Sequence, residues 1–211
     1  MPIKISVFGA NGRLGRSIIQ QMGQDFTLSG EPDLYIDASL PPGVFSHIET
    51  ALLLKRPIVI GVTALEEKTE ALMADAAKSI PIFYSSNFSL GAALLKKLSQ
   101  FIATHFHPNA DIDLIETHHV EKKDIPSGTA VALEKALRKK GKNPTLHSIR
   151  SAQTVGVHEL IFNTAEEKIS LTHTAHSRDA FGRGALAAAT FLIKQPPGLY
   201  GMEDLLIDLR I

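Results

Sequence analysis

Residues 3–15 read IKISVFGANGRLG, and the fold turns on how this stretch is read. Ile3, Ile5 and Val7 alternate as in a strand, the run stops at Gly9, and a helical pattern follows over residues 17–22. Gly9, Gly12 and Gly15 therefore lie between a strand and a helix. Dinucleotide-binding turns are built in that place, because glycine lets the backbone approach a pyrophosphate seated on the helix N-terminus. The spacing is GxxGxxG rather than GxGxxG, so taken alone it is equally an ordinary tight strand-to-helix turn.

Working outward, residues 33–39 (DLYIDAS), 57–62 (PIVIGV) and 81–85 (PIFYS) are apolar runs of strand length. Helical patterns over residues 44–55 and 65–78 separate them. Strands alternating with helices specify an α/β fold: a Rossmann-like parallel sheet with helices on both faces. Residues 26–30 (FTLSG) also look strand-like, yet only Glu31 and Pro32 separate them from the next strand. Neighbouring parallel strands need a crossover of about a dozen residues. FTLSG is therefore expected to be a return loop or an antiparallel edge, and the second-strand region is shortened. Glu31 stands about twenty residues beyond the glycines, where such folds place a ribose-binding acid. Without a full second strand it reads as a solvated loop residue.

A chain of 211 residues can bury one large core or two small ones. With 22 basic and 22 acidic residues there is no net basic face for nucleic acid. No cysteine is present, which excludes thiolate catalysis and cysteine-ligated zinc and is compatible with a reducing compartment. No apolar run approaches membrane-spanning length, and the N-terminus enters a strand directly, so a soluble cytoplasmic protein is expected.

The chemistry is concentrated in residues 113–130, DLIETHHVEKKDIPSGTA. Residues 111–116 alternate as a half-buried strand. His118 and His119 leave it, Lys122 and Lys123 follow, and Ser127 can cap a helix over residues 128–140. The N–H groups of Gly128 and Thr129, aided by the helix dipole, form an anion site. Such a loop suits a small substrate with more than one carboxylate and keeps a proton donor beside it. A metal site is not expected, since adjacent residues leaving a strand point to opposite sides and neither HExxH nor cysteine supports one. Read separately, the lysine pair is a solvated surface and Pro-Ser-Gly-Thr a good helix start.

Glu116, His118, Lys122, Asp124 and residues 126–130 resemble the signature of the dihydrodipicolinate reductase family of bacterial lysine biosynthesis. Asp113-Leu114 departs from that family's usual Glu followed by Ile or Val, at the strand rather than at the reacting groups. The resemblance covers nearly the whole chain and implies reduction of dihydrodipicolinate (4-hydroxy-tetrahydrodipicolinate) by NADH or NADPH. It implies His118 as proton donor and Lys122 as second donor, with His119, Gly128 and Thr129 binding carboxylate. Gly9, Ala10, Asn11, Gly12, Arg13 and Leu14 resemble the family's GxxGRMG turn. Gly61, Val62 and Thr63 resemble its Gly-Thr-Thr, and Ser85, Ser86, Asn87 and Phe88 its nicotinamide-side loop. Arg150 resembles a position facing the substrate cleft.

Residues 90–106 form a long helical pattern that leads into a second α+β domain with a mixed sheet. Strand-like segments follow at 145–150, 154–163 and 168–174, the last two joined as a hairpin through residues 164–167. The domains expected are 1–89 with 179–211 for the dinucleotide and 90–178 for substrate, catalysis and oligomerisation. The second sheet is expected to leave an apolar face for another subunit, and the family resemblance implies a homotetramer. His147, His158, His173 and His176 read as structural or surface residues, and His105 and His107 as partners of a helix C-terminus. An Ala-rich helix over residues 178–194 and a final element over 202–209, helix or strand, complete the chain. Two other functions fit the same fold: a nicotinamide-nucleotide-sensing protein, which would dispense with the donors, and an amino-acid dehydrogenase, which would not need the anion site. With no fixed acid at the adenosine ribose, preference between NADH and NADPH is expected to stay below about a hundredfold in kcat/KM. A larger ratio in steady-state kinetics would contradict the loose adenosine end.

Overall fold

In a computed structural model, described here for residues 1–208, the chain begins β1 (Ile3–Phe8), α1 (Arg13–Gln21), β2 (Phe26–Leu28), β3 (Leu34–Asp37) and α2 (Pro41–Leu53). It continues β4 (Ile58–Ile60), α3 (Glu67–Ala76), β5 (Pro81–Tyr84), α4 (Leu90–His105), β6 (Asp111–His118) and α5 (Gly128–Arg138). Then come β7 (Thr145–Arg150), β8 (Gly156–Asn163), β9 (Lys168–Ala175), α6 (Asp179–Leu192), β10 (Gly198–Tyr200) and α7 (Met202–Asp208). The last element is thus a helix, and Leu209, which the sequence assigns to it, lies outside the described residues. Two compact units result, Met1–Leu90 with the segment from Arg178 onward, and Gly91–Ser177. Among the described residues no helix is long and apolar enough to cross a membrane.

The first unit is a six-stranded parallel sheet in the order β10-β5-β4-β3-β1-β2. Ile36, Val59 and Phe83 pack toward α1 and α6, and Ile58, Ile60 and Ile82 toward α2 and α3, so both faces are covered. The expectation for FTLSG fails: Phe26–Leu28 is neither a loop nor an antiparallel edge but a parallel edge strand on β1. The crossover rule is met because β2 and β3 flank β1 instead of each other, and α1 carries the crossover into β2. Stagger explains the short link that follows. Leu28 and Leu34 both pair with Ile5, so β2 ends at the level where β3 begins, and the link needs only to step sideways past one strand. β3 continues to the level of Phe8 while β2 does not. Glu31 consequently lies exposed beside the truncated strand, its N–H donating to Ser29 Oγ at 3.1 Å.

The second unit is a mixed sheet in the order β7-β6-β8-β9, with β6 parallel to β7 and antiparallel to β8. One face packs Ile112, Leu114, Leu160 and Phe162 against Leu95 and Ala103 of α4 and Leu133 and Leu137 of α5. The opposite face differs from the apolar surface expected. Ile115, Val157 and Ile161 are half-buried there, but Asp113, His147, Glu159, Ser170, Thr172 and Thr174 share it. β7 and β9 are edge strands; the outward positions of β9 are polar, as exposed edges require, while β7 presents Ile149 exposed beside Thr145 and His147.

Candidate active site

Three ligand-side loops of the first unit follow β1, β4 and β5, and all open at the carboxyl edge of the parallel sheet, where such folds bind ligands. Gly9 has φ +76°, and a Cβ there would stand 2.5 Å from the Ala38 carbonyl oxygen, so no other residue fits this corner. Gly9, Asn11, Gly12 and Arg13 are exposed and Ala10 and Leu14 half-buried, with no acidic residue in the first turn of α1. The corner thus suits an anionic group at a helix N-terminus. Val62 and Phe88 are buried, Gly61 is half-buried, and Thr63 and Ser86 are exposed. Ser85 Oγ donates to the Asn87 carbonyl at 2.7 Å, and Asn87 Oδ1 accepts from Ser89 N–H at 2.8 Å, which fixes the last loop.

One residue of this edge escaped the sequence reading. Asp37 ends β3 fully buried, its carboxylate accepting from Ser39 Oγ at 2.5 Å and N–H at 3.0 Å and facing His47 Nδ1 at 2.7 Å. The His47 ring lies flat on Phe8, centroids 3.8 Å apart. In sequence Asp37 is only the end of an apolar strand, and nothing local marks it.

In the second unit the helix-covered face of the sheet changes character at one rung. Ser148, Glu116, His158 and His173 are register partners across β7, β6, β8 and β9, directly beyond the apolar rungs through Leu114 and Leu160. Glu116 is fully buried, hydrogen-bonded to His118 Nδ1 and ion-paired with Arg150 at 2.9 Å. Burial alone would raise its carboxyl, but the paired Arg150 guanidinium, the neighbouring Ser148 and the bond and charge of His118 hold it below the usual range. His118 is 8% exposed. Burial lowers its pKa, the bond and charge of Glu116 pull it back up, and Lys122 and Arg150 push it down again, leaving it below the ordinary histidine value. His158 is pushed down to about 4, by burial first and then by the charge of His118.

Arg150 does more than neutralise Glu116. Its guanidinium donates to the Asp124 carbonyl at 2.6 Å and the Lys122 carbonyl at 3.3 Å, tying the lysine loop to the sheet. Lys122 Nζ sits 2.8 Å from both Asp124 carboxylate oxygens, which holds Asp124 below the usual carboxylate range. Ser127 caps α5 by accepting the Ala130 N–H at 3.2 Å, and the N–H groups of that first turn point out of the helix mouth. Gly128 is exposed there and Thr129 half-buried. His119, half-buried, follows the strand on the side opposite His118. His158 and His173, read from sequence as structural, join the His118 cluster. Their only signal is phase: His158 alternates with Leu160 and Phe162 on the core-facing side of its strand.

Donor atoms of Glu116, His118 and His158 lie within 4.8 Å of one another and could in principle hold a metal. The Arg150 guanidinium already compensates Glu116, and an entering cation would meet both it and Lys122. The arrangement is that of an imidazole oriented by a carboxylate, with the N-terminus of a helix alongside.

Residues 91–206 match the family described as dihydrodipicolinate reductase, C-terminus, and residues 25–88 the one described as dihydrodipicolinate reductase, N-terminus. The chain belongs to the dihydrodipicolinate reductase family. It is 36% identical to the 4-hydroxy-tetrahydrodipicolinate reductase of Xanthomonas campestris, covering 98% of each chain. With that of Pseudoalteromonas translucida the identity is 34%, again over 98% of each. The Xanthomonas alignment spans 235 positions against the 211 residues here, so the relative carries segments that this chain lacks. A dipicolinate-bound dihydrodipicolinate reductase from a Paenisporosarcina species shares the fold, with a TM-score of 0.80 at 21% identity, covering 97% of this chain and 99% of that one.

Gly156 opens β8 beside His118. A Cβ at this position would stand 3.1 Å from His118 Nε2, the ring nitrogen that the Nδ1 contact with Glu116 leaves unengaged. Gly156→Ala is expected to lower kcat/KM in a reductase assay about tenfold or more by crowding that nitrogen. Unchanged turnover would show that nothing approaches His118 from this side.

Proposed function

We propose that this chain catalyses the NAD(P)H-dependent reduction of 4-hydroxy-tetrahydrodipicolinate (dihydrodipicolinate) to tetrahydrodipicolinate in lysine and diaminopimelate biosynthesis. The observation that carries the reading is the buried Glu116–His118 pair set beside Lys122 and the mouth of α5, in a chain of this family. The nucleotide is assigned to residues 1–89 and 179–211. Gly9 to Leu14 hold its pyrophosphate, and Gly61 to Thr63 with Ser85 to Phe88 its nicotinamide end. The dicarboxylate is assigned to residues 90–178, held by His119, Gly128 and Thr129. Reduced nicotinamide supplies hydride, and negative charge builds along the conjugated substrate as it arrives. Cationic donors fixed where that charge appears stabilise the transition state most. His118 gives the proton from Nε2 in its imidazolium form, which a bound dicarboxylate stabilises against the lowered pKa of the free site; Lys122 shares the charge once a substrate carboxylate competes with Asp124 for it.

Neither nucleotide is favoured, because Glu31 stands away from the carboxyl edge. A homotetramer of cytoplasmic subunits is proposed, built through the mixed outer face of the second sheet. A nucleotide sensor on this fold would need no buried charge cluster, and an amino-acid dehydrogenase is disfavoured by family membership. Nicotinamide absorbance is expected to fall when the protein meets freshly prepared dihydrodipicolinate, and Lys122→Ala to lower kcat about a hundredfold or more. No oxidation of either nucleotide would refute the function, and wild-type turnover in the variant would remove Lys122 from it.

A further inference from the structure

His158 has no part in the reaction as proposed, yet few side chains of the second unit are more constrained. It is 4% exposed, and its ring meets that of His118 edge-on with centroids 5.2 Å apart. Its Nε2 lies 3.2 Å from Ser127 Oγ, the same oxygen that accepts the Ala130 N–H, while its Nδ1 has no hydrogen-bond partner. The ring is neutral near pH 7, so it carries one N–H and one lone pair.

Two tautomers compete for that proton. With hydrogen on Nδ1, a donor is buried without an acceptor, and the Ser127 O–H is consumed by Nε2. With hydrogen on Nε2, the unmatched group is a lone pair, and orphaned buried N–H groups are rarer than under-used acceptors. The second tautomer prevails. Ser127 Oγ then accepts from Ala130 N–H and from His158 Nε2–H together. Both its lone pairs are filled, and its own proton is left to the remaining tetrahedral direction.

We propose that neutral His158 is a positioning residue that makes the Ser127 hydroxyl a fixed donor to the carboxylate at the mouth of α5. The N–H groups of the first turn are thereby joined by an O–H that cannot swing inward. This extends the proposed function, since it requires an anion at that mouth.

The test uses pyridine-2,6-dicarboxylate, a planar unreactive dicarboxylate, in calorimetry on the full-length protein, alongside steady-state kinetics. His158→Phe keeps the ring volume and deletes the N–H. It is expected to weaken dicarboxylate binding and raise substrate KM about tenfold, the usual effect of losing a hydrogen bond to a charged group. kcat should change less than about threefold, and the KM for nucleotide not at all, a split that general loosening of the core would not give. Adding His158→Phe to Ser127→Ala should cost nothing further, because the two act in series. His158→Gln, whose amide can replace Nε2–H, should recover most of the affinity, and the shorter His158→Asn should not. That Gln and Asn pair decides the matter should the Phe variant fail to fold. Equal dicarboxylate affinity in the Gln and Asn variants, or additive losses in the double variant, would overturn the role of His158. Wild-type protein that binds no dicarboxylate would instead contradict the functional reading and take this inference with it.

Discussion

A carboxylate with no exposure to solvent, Glu116, is the constraint around which the second unit is arranged. A buried charge is tolerated only when it is paired and its lone pairs are used, and breaking such a pairing costs several kcal/mol. The Arg150 guanidinium and the His118 ring meet that demand. The requirement explains why the helix-covered face of the sheet stops being apolar at one rung. Core packing through Leu114 and Leu160 holds the strands in register, and the next rung carries the buried polar cluster on that rigid frame. His118 is thereby oriented through Nδ1, with Nε2 facing the space that Gly156 leaves open. Because Arg150 also holds the carbonyls of Lys122 and Asp124, the loop bearing Lys122 inherits its position from the same pair.

The first unit solves a parallel problem with a different buried acid. Asp37 closes β3, orders Ser39 and His47, and so shapes the wall against which Gly9 turns. Among the described residues the end of β2 has no equivalent buried acid. β2 ends at the level of Ile5, well short of the edge reached by β3, and leaves Glu31 in solvent. Both units thus place buried polar groups at one end of an otherwise apolar sheet, apart from the layers that pack the core.

Much of this was legible in the chain. The alternating strand-helix pattern, the cap at Ser127, the hairpin from β8 to β9 and the concentration of charge after β6 all follow from local rules that the structure obeys. The failures were non-local. FTLSG was misjudged because register, not link length, decides whether two strands can share a neighbour, and register is invisible in sequence. β10 was missed since three residues, Gly198, Leu199 and Tyr200, carry too little pattern, and their pairing with β5 creates the strand. Asp37 and His158 look unremarkable locally and gain their roles from partners ten and thirty-one residues away. The outer face of the second sheet was expected to be apolar, whereas Asp113, Glu159 and the threonines of β9 share it with Ile115, Ile149, Val157 and Ile161.

The central claim, that buried Glu116 orients His118 as a donor poised for an anionic ligand, is tested most directly by NMR titration of the His118 imidazole, alone and with pyridine-2,6-dicarboxylate. Burial with two nearby cations lowers the free-state value, and a bound anion stabilises the protonated form and must raise it. The account predicts an Nδ1–H tautomer in the neutral ring, a free-state pKa below the ordinary histidine value, and an upward shift on binding the dicarboxylate. An Nε2–H tautomer, or a pKa that the ligand leaves in place, would contradict it.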